Sequence, residues 1–103
     1  MSKKQIAVIT GASQGIGRAI SIKLASEGYF TVLSGRNEEN LKKTAELVSH
    51  VNDHYQVSIT DVTSEVDIEK LFKETAELGE LEILVNNAGV GTFKAVELSL
   101  IHI

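Results

Sequence analysis

The spacing of apolar and polar residues changes several times along the chain, and each change marks an element. QIAVIT (5–10) is a nearly continuous apolar, β-branched run, the pattern of a parallel strand buried on both faces. From Gly15 the period lengthens. Ile16, Ile20 and Leu24 recur every fourth residue with Ala19 and Ala25 beside them, which predicts a helix with a narrow buried face, closed by Gly28. FTVLS (30–34) is a second strand. Asn37 suits the cap of a second helix, whose stripe is Leu41, Ala45, Val48 and Val51. Asn52-Asp53 marks a turn, and Tyr55, Val57 and Ile59 alternate as on a third strand. Ser64 and Asp67 form a capping-box pattern for a third helix, with Ile68, Leu71, Phe72 and Thr75 or Ala76 on its apolar face and Gly79 as its stop. Ile83-Leu84-Val85 is a fourth strand that runs into NNAG.

This βαβαβαβ alternation predicts an α/β domain with a parallel sheet and right-handed crossovers. Composition narrows the function classes. The 103 residues suffice for one domain, and 43% hydrophobic with 23% charged residues is ordinary for a globular protein. A net charge of −4 gives no support to a nucleic-acid or anionic-membrane surface. No apolar stretch approaches the length of a membrane span, and the run after Lys3 and Lys4 is too short for a signal peptide. The absence of cysteine fits a reducing, cytoplasmic setting.

The stretch ITGASQGIG (9–17) leaves a strand and opens a helix, the setting in which a glycine pattern carries meaning. The first turn of a helix has unpaired N–H groups and partial positive charge, and a pyrophosphate answers both. Gly11 suits the turn out of the strand, Gly15 leaves the backbone open to phosphate, and Gly17 permits close helix packing. The Ser13 hydroxyl can donate to phosphate or brace the loop. The same glycines also serve a plain tight turn. Their spacing, Gly-x-x-x-Gly-x-Gly, differs from the commoner Gly-x-Gly-x-x-Gly.

TGASQGIG (10–17), Asp61-Val62 after the third strand and NNAG (86–89) after the fourth together resemble the N-terminal signature of the short-chain dehydrogenase/reductase family, most like its 3-oxoacyl reductases. The resemblance covers about residues 4–97. It implies a Rossmann-type doubly wound sheet, truncated after about four strands in the order 3-2-1-4, that binds NAD(P)(H) at its switch point. The expected cofactor-binding residues are Gly11, Ser13, Gln14, Gly15, Ile16 and Gly17 at the pyrophosphate; Arg36; Asp61 and Val62 at the adenine; and Asn87, Ala88 and Gly89 along the ribose side.

The second strand ends in Ser34-Gly35-Arg36, with no carboxylate for a ribose 2′-hydroxyl. Arginine attracts a 2′-phosphate, so by resemblance NADP(H) is favoured over NAD(H), although Arg36 also suits a solvated helix start and Gln14 stands where many NADP-using relatives carry a second basic residue. His50 and His54 are four apart with no third ligand to complete a metal site, so no metal is expected.

The family's reaction depends on a Tyr-x-x-x-Lys pair. Tyr29 is followed four residues later by Leu33 and Tyr55 by Ile59, so this chain contains no catalytic tyrosine of that kind. It reads as the N-terminal part of an NADP(H)-dependent oxidoreductase interconverting a small carbonyl compound and an alcohol, inactive by itself, from a parent that is a homo-oligomer. A non-catalytic nucleotide-binding module with a regulatory or interaction role is the alternative. The expected domain is 1–97. The tail LSLIHI (98–103) matches translation of CTG TCT CTT ATA CAC ATC, the end of a transposon sequencing adapter, and is expected to be non-native. On this reading the fourth strand lies at a sheet edge and one face of the sheet is incompletely covered, so the chain is expected to be marginally stable.

Overall fold

The computed structural model describes residues 5–13, 15–87 and 101–102. In chain order these form β1 (Gln5–Thr10), α1 (Gly15–Ser26), β2 (Phe30–Gly35), α2 (Glu38–Ser49), β3 (Tyr55–Ile59), α3 (Glu65–Leu78), β4 (Glu80–Asn86) and β5 (Ile101–His102). The strands make one parallel sheet in the order β3-β2-β1-β4-β5. The order of the first four is the expected 3-2-1-4. The expected edge position of β4 is corrected: Ile83 pairs with Ile101 and Leu84 with His102, so its outer side is partly hydrogen-bonded.

Alternation along buried strands sends successive side chains to opposite faces and builds two cores. Ala7, Ile9, Leu33, Ile83 and Val85 pack with Ala25 of α1 and Leu41, Ala45 and Val48 of α2. Ile6, Val8, Val32 and Leu84 face Leu71 of α3, with Phe30 and Phe72 partly buried beside them. Asn37 caps α2 by accepting from the Asn40 amide at 2.9 Å. Ser64 caps α3 by accepting from the Asp67 amide at 3.2 Å.

Two helix faces depart from expectation, and on a third the structure chooses between two expected residues. The buried line of α1 is Gly17, Ser21 and Ala25; Ile20 and Leu24 are half-buried, Ala19 is exposed and Ile16 is 70% exposed. The cause is close approach: with no side chain at Gly17 the helix settles on its small residues, and the Ser21 hydroxyl is satisfied by the Gly17 carbonyl at 2.7 Å. In α2 the stripe takes in Thr44, and Val51, beyond the helix end, is exposed. In α3 Thr75 is buried with its hydroxyl bonded to the Leu71 carbonyl at 2.8 Å, which leaves Ala76 outside.

The Thr31 and Ser34 hydroxyls on β2 are buried with no hydrogen-bond partner among the described residues. A buried hydroxyl in that position costs free energy that an apolar group of the same shape does not. Thr31→Val is expected to stabilise the chain by up to about 1 kcal/mol, read as a raised midpoint in a denaturant melt. A lowered midpoint contradicts this account of β2.

Candidate functional site

The carboxyl ends of β1, β2, β3 and β4 form one rim. In register across it lie Asn86, Thr10, Ser34 and Ser58, a polar row where the apolar interior of the sheet ends. Thr10 holds the centre. Its hydroxyl accepts from the Asn87 amide at 3.0 Å and lies 3.2 Å from the Val85 carbonyl, to which it donates. Strands β1 and β4 are thereby tied at their carboxyl ends.

The glycine loop leaves β1 with left-handed backbone at Gly11 (φ 65°) and again at Gly15 (φ 61°), a conformation that side chains disfavour. Among the described residues a Cβ at Gly15 meets nothing within 4 Å beyond its own chain neighbours and helix backbone, so the demand for glycine shown there is conformational. Gly17 is the opposite case. A Cβ there would collide with the Gly11 carbonyl oxygen and lie 2.7 Å from Asn87 Nδ2. Asn87 Nδ2 donates to that same Gly11 oxygen at 3.3 Å. The glycine loop and the asparagine motif, 76 residues apart, therefore meet at one atom.

Each loop carbonyl from Gly11 to Ser13 accepts a side-chain hydrogen bond. Asn87 donates to Gly11, the Thr44 hydroxyl donates to Ala12 at 2.8 Å, and Arg18 Nη2 donates to Ser13 at 2.6 Å. Arg18 Nε also donates to the Thr44 oxygen at 2.8 Å. The Ala12 amide donates to the Ser34 carbonyl at 3.0 Å, which fastens the loop to β2. Arg18 and Thr44 were not among the residues singled out in the sequence, yet both carried a signal. Arg18 is a cation in the first turn of a helix, where the dipole disfavours it, and Thr44 is a polar residue on an apolar stripe.

On the other side of the rim Gly35 is buried at the end of β2 and Arg36 is exposed next to it. A Cβ at position 35 would lie 3.3 Å from Leu41 Cδ2, a tight contact that the Leu41 side chain would have to relieve. Past β3, Asp61 Oδ1 accepts from both the Thr63 hydroxyl, at 2.6 Å, and the Thr63 amide, at 2.9 Å. Those two bonds, hydroxyl first, hold the Asp61 carboxyl below the usual carboxylate range; partial burial opposes them and the Arg36 charge assists. Asp67 turns its carboxylate to the Asp61 amide at 2.9 Å and braces this turn. Val62 is buried behind it at 8% exposure, and Ile16 projects from the start of α1.

Gly11, Ser13, Gly15, Ile16 and Gly17 thus lie on the β1–α1 loop and its helix start, Asn87 adjoins them, and Arg36, Asp61 and Val62 gather at the ends of β2 and β3. Gln14, Ala88 and Gly89 lie outside the described residues. His50 ends α2 as its C-cap residue, and His54 stacks on Phe30 with ring centroids 6.5 Å apart. No group of acidic or histidine side chains among the described residues has the arrangement of a metal site, and no helix among them is long and apolar enough to cross a membrane.

Residues 5–101 match the family model described as short chain dehydrogenase. An oxidoreductase of Staphylococcus saprophyticus is 40% identical over 97 residues, covering 89% of this chain and 40% of the relative. Among solved structures, a β-ketoacyl-[ACP] reductase of Bacteroides thetaiotaomicron superposes with a TM-score of 0.76 at 37% identity, over 84% of this chain and 41% of that one. The RhlG/NADP active-site complex of Pseudomonas aeruginosa superposes with a TM-score of 0.73 at 36% identity, over 84% of this chain and 35% of that one. The chain spans about two fifths of the length of the curated relatives it matches.

Two outcomes test the site's geometry. Gly17→Ala drives a methyl into main-chain atoms that cannot swing aside, so it is expected to destabilise by about 1–3 kcal/mol in a denaturant melt. An unchanged midpoint contradicts the contact. For Asp61, a lowered native pKa means its contribution is complete above the ordinary carboxylate pKa and is lost as pH falls through the lowered value. Thr63→Val removes the main cause, so NMR titration of the Asp61 carboxyl is expected to show its midpoint moving up toward the ordinary value.

Proposed function

The chain belongs to the short-chain dehydrogenase family, and from that footing we propose that it forms the coenzyme-binding part of an NADP(H)-dependent oxidoreductase interconverting a small carbonyl compound and an alcohol. The observation that carries the reading is the junction of Gly11, Gly17 and Asn87. It seats the first turn of α1 against the ends of β1 and β4 with no room for a side chain at position 17, while Gly15 at the amino end of the same helix fronts open space among the described residues.

The residues present suit a dinucleotide. The amino end of α1 offers main-chain amides and partial positive charge to the diphosphate, with glycine at positions 15 and 17. Ser13 and Gln14 complete that loop. Arg36, exposed and beside a residue without a carboxylate, suits a 2′-phosphate, which a planar guanidinium can grip with two bonds. Asp61, whose carboxyl Thr63 holds below the usual carboxylate range, would accept from the adenine amino group, with Val62 against the ring. The resemblance assigns Asn87, Ala88 and Gly89 to the ribose side.

When bound, NADP(H) supplies the hydride. The chain's own residues hold and orient the coenzyme, and proton transfer to the carbonyl oxygen falls to a Tyr-x-x-x-Lys pair outside this sequence. Tyr29 and Tyr55 stand at the amino ends of β2 and β3, packed against the α1 and α2 side of the core and on the far edge of the sheet from the glycine loop. We therefore read these 103 residues as unable to turn over substrate alone. By family resemblance the reading extends to a homo-oligomeric parent, and a chain without cysteine is in keeping with a cytoplasmic one.

Calorimetric titration tests the proposal. NADPH is expected to bind at least about tenfold more tightly than NADH, the scale of one charge-assisted hydrogen bond, and Arg36→Ala to abolish the difference. NADPH binding no tighter than NADH refutes the NADP assignment. Ketone-dependent NADPH oxidation by the purified chain refutes the division of labour.

A further inference from the structure

The amides of the glycine loop can receive an anion only if the loop's carbonyl oxygens are turned elsewhere, because a carbonyl facing a diphosphate repels it. The peptide unit is planar and trans, so the direction of each carbonyl sets the direction of the following amide. Here the carbonyls are fixed from outside the loop. Thr44, fully buried in α2, donates to the Ala12 oxygen at 2.8 Å, and Arg18 Nη2 donates to the Ser13 oxygen at 2.6 Å. Arg18 Nε donates to Thr44 itself at 2.8 Å, which orients the hydroxyl so that its own hydrogen goes to Ala12. Arg18 Nη2 also reaches the Asn40 carbonyl at 3.2 Å, so the guanidinium is held at three points. Pulling Ala12's carbonyl toward α2 turns the Ser13 amide away from α2.

The geometry points to Arg18 and Thr44 as positioning residues for coenzyme binding: a two-residue clamp that holds the glycine loop in its anion-receiving form before the coenzyme arrives. The inference rests on the coenzyme reading above and deepens it. Arg18 and Thr44 act through the loop, by removing the reorganisation that a free loop undergoes on binding. The planar fork of Arg18 is required as well as its charge, because one side chain must serve Thr44, Ser13 and Asn40 together.

The test titrates the full chain with NADPH and NADH by calorimetry, beside thermal melts of the same samples. Thr44→Val keeps shape and loses the hydroxyl. At temperatures where its melt shows it folded, it is expected to bind NADPH about tenfold more weakly, the scale of a lost charge-assisted hydrogen bond. Thr44→Ser is expected to recover most of the wild-type affinity. Arg18→Lys keeps the charge without the fork and is expected to lose about tenfold. Both losses should be the same for NADH, because the diphosphate is common to the two coenzymes. A merely structural role would lower the melting temperature and leave the affinity of the folded molecules unchanged, and that result overturns the clamp. So does Arg18→Lys with wild-type affinity, which also decides the matter if Thr44→Val does not fold. A wild-type chain that binds neither coenzyme refutes the coenzyme reading itself, and the clamp with it; a binding wild type with unaffected variants refutes the clamp alone.

Discussion

The close approach of Gly17 to the Gly11 carbonyl is the contact on which the rest of the molecule depends. It brings the first turn of α1 down onto the end of β1, so the helix packs through Gly17, Ser21 and Ala25 and its larger residues ride at the sides. It also puts the Gly11 oxygen within reach of Asn87, so β4 must end beside β1 at the same level. A side chain at position 17 would separate all three. The parallel pairing of β1 with β4 is non-local and closes over most of the chain, and a small-residue contact at its carboxyl end helps select one register among those the apolar strand interiors tolerate.

The rim shows how a parallel sheet changes character at its end. Ile6 to Ile9 are wholly buried and interchangeable in chemistry, but one residue later Thr10 ties its neighbours through its hydroxyl. Beyond the row of Asn86, Thr10, Ser34 and Ser58 the ladder among the described residues continues only through Gly35 and Ile59. Carbonyls at this end are taken up by donors from the following segments: the Ala12 amide bonds to the Ser34 carbonyl and the Thr60 amide to the Gly35 carbonyl at 2.8 Å. Buried main-chain groups demand such partners. The segments after β1 and β3 are therefore shaped by the same requirement that pairs the strands.

Most of the strands, all three helices and the glycine loop were legible in the sequence because their signals are local: β-branched runs, the Asn37 and Ser64 caps, and three glycines after a strand. The meeting of the loop with Asn87 was legible only through the family resemblance, since no spacing within the chain requires residues 11 and 87 to touch. What escaped depends on packing between distant segments. The periodicity of Ile16, Ile20 and Leu24 is real, but helix depth is set at Gly17 and rotates burial to Ser21. The Ser64 half of the capping box forms, whereas Asp67 turns to the Asp61 amide because the preceding turn brings that donor closer into line. Thr44 follows the stripe of α2 by position and breaks it by chemistry, which is the local trace of a contact made across 32 residues. The pairing of β5 with β4 left no trace in the alternation pattern, because two residues are too few to show a period.

Arg18 illustrates how such a contact can outweigh a local preference. A cation in the first turn of a helix opposes the dipole by about 0.3–1 kcal/mol, and α1 carries no acidic residue there to offset it. The same arginine makes three hydrogen bonds, two of them to main-chain carbonyls whose orphaning would each cost about 1–3 kcal/mol if buried. The local penalty is the smaller quantity, so the position is favourable in the folded chain. It is more favourable still wherever an anion settles at the start of α1, since the charge that strains the bare helix then lies on the attractive side of the balance. A residue costly to its own helix and helpful to its surroundings is better explained by the loop it holds than by the helix that carries it.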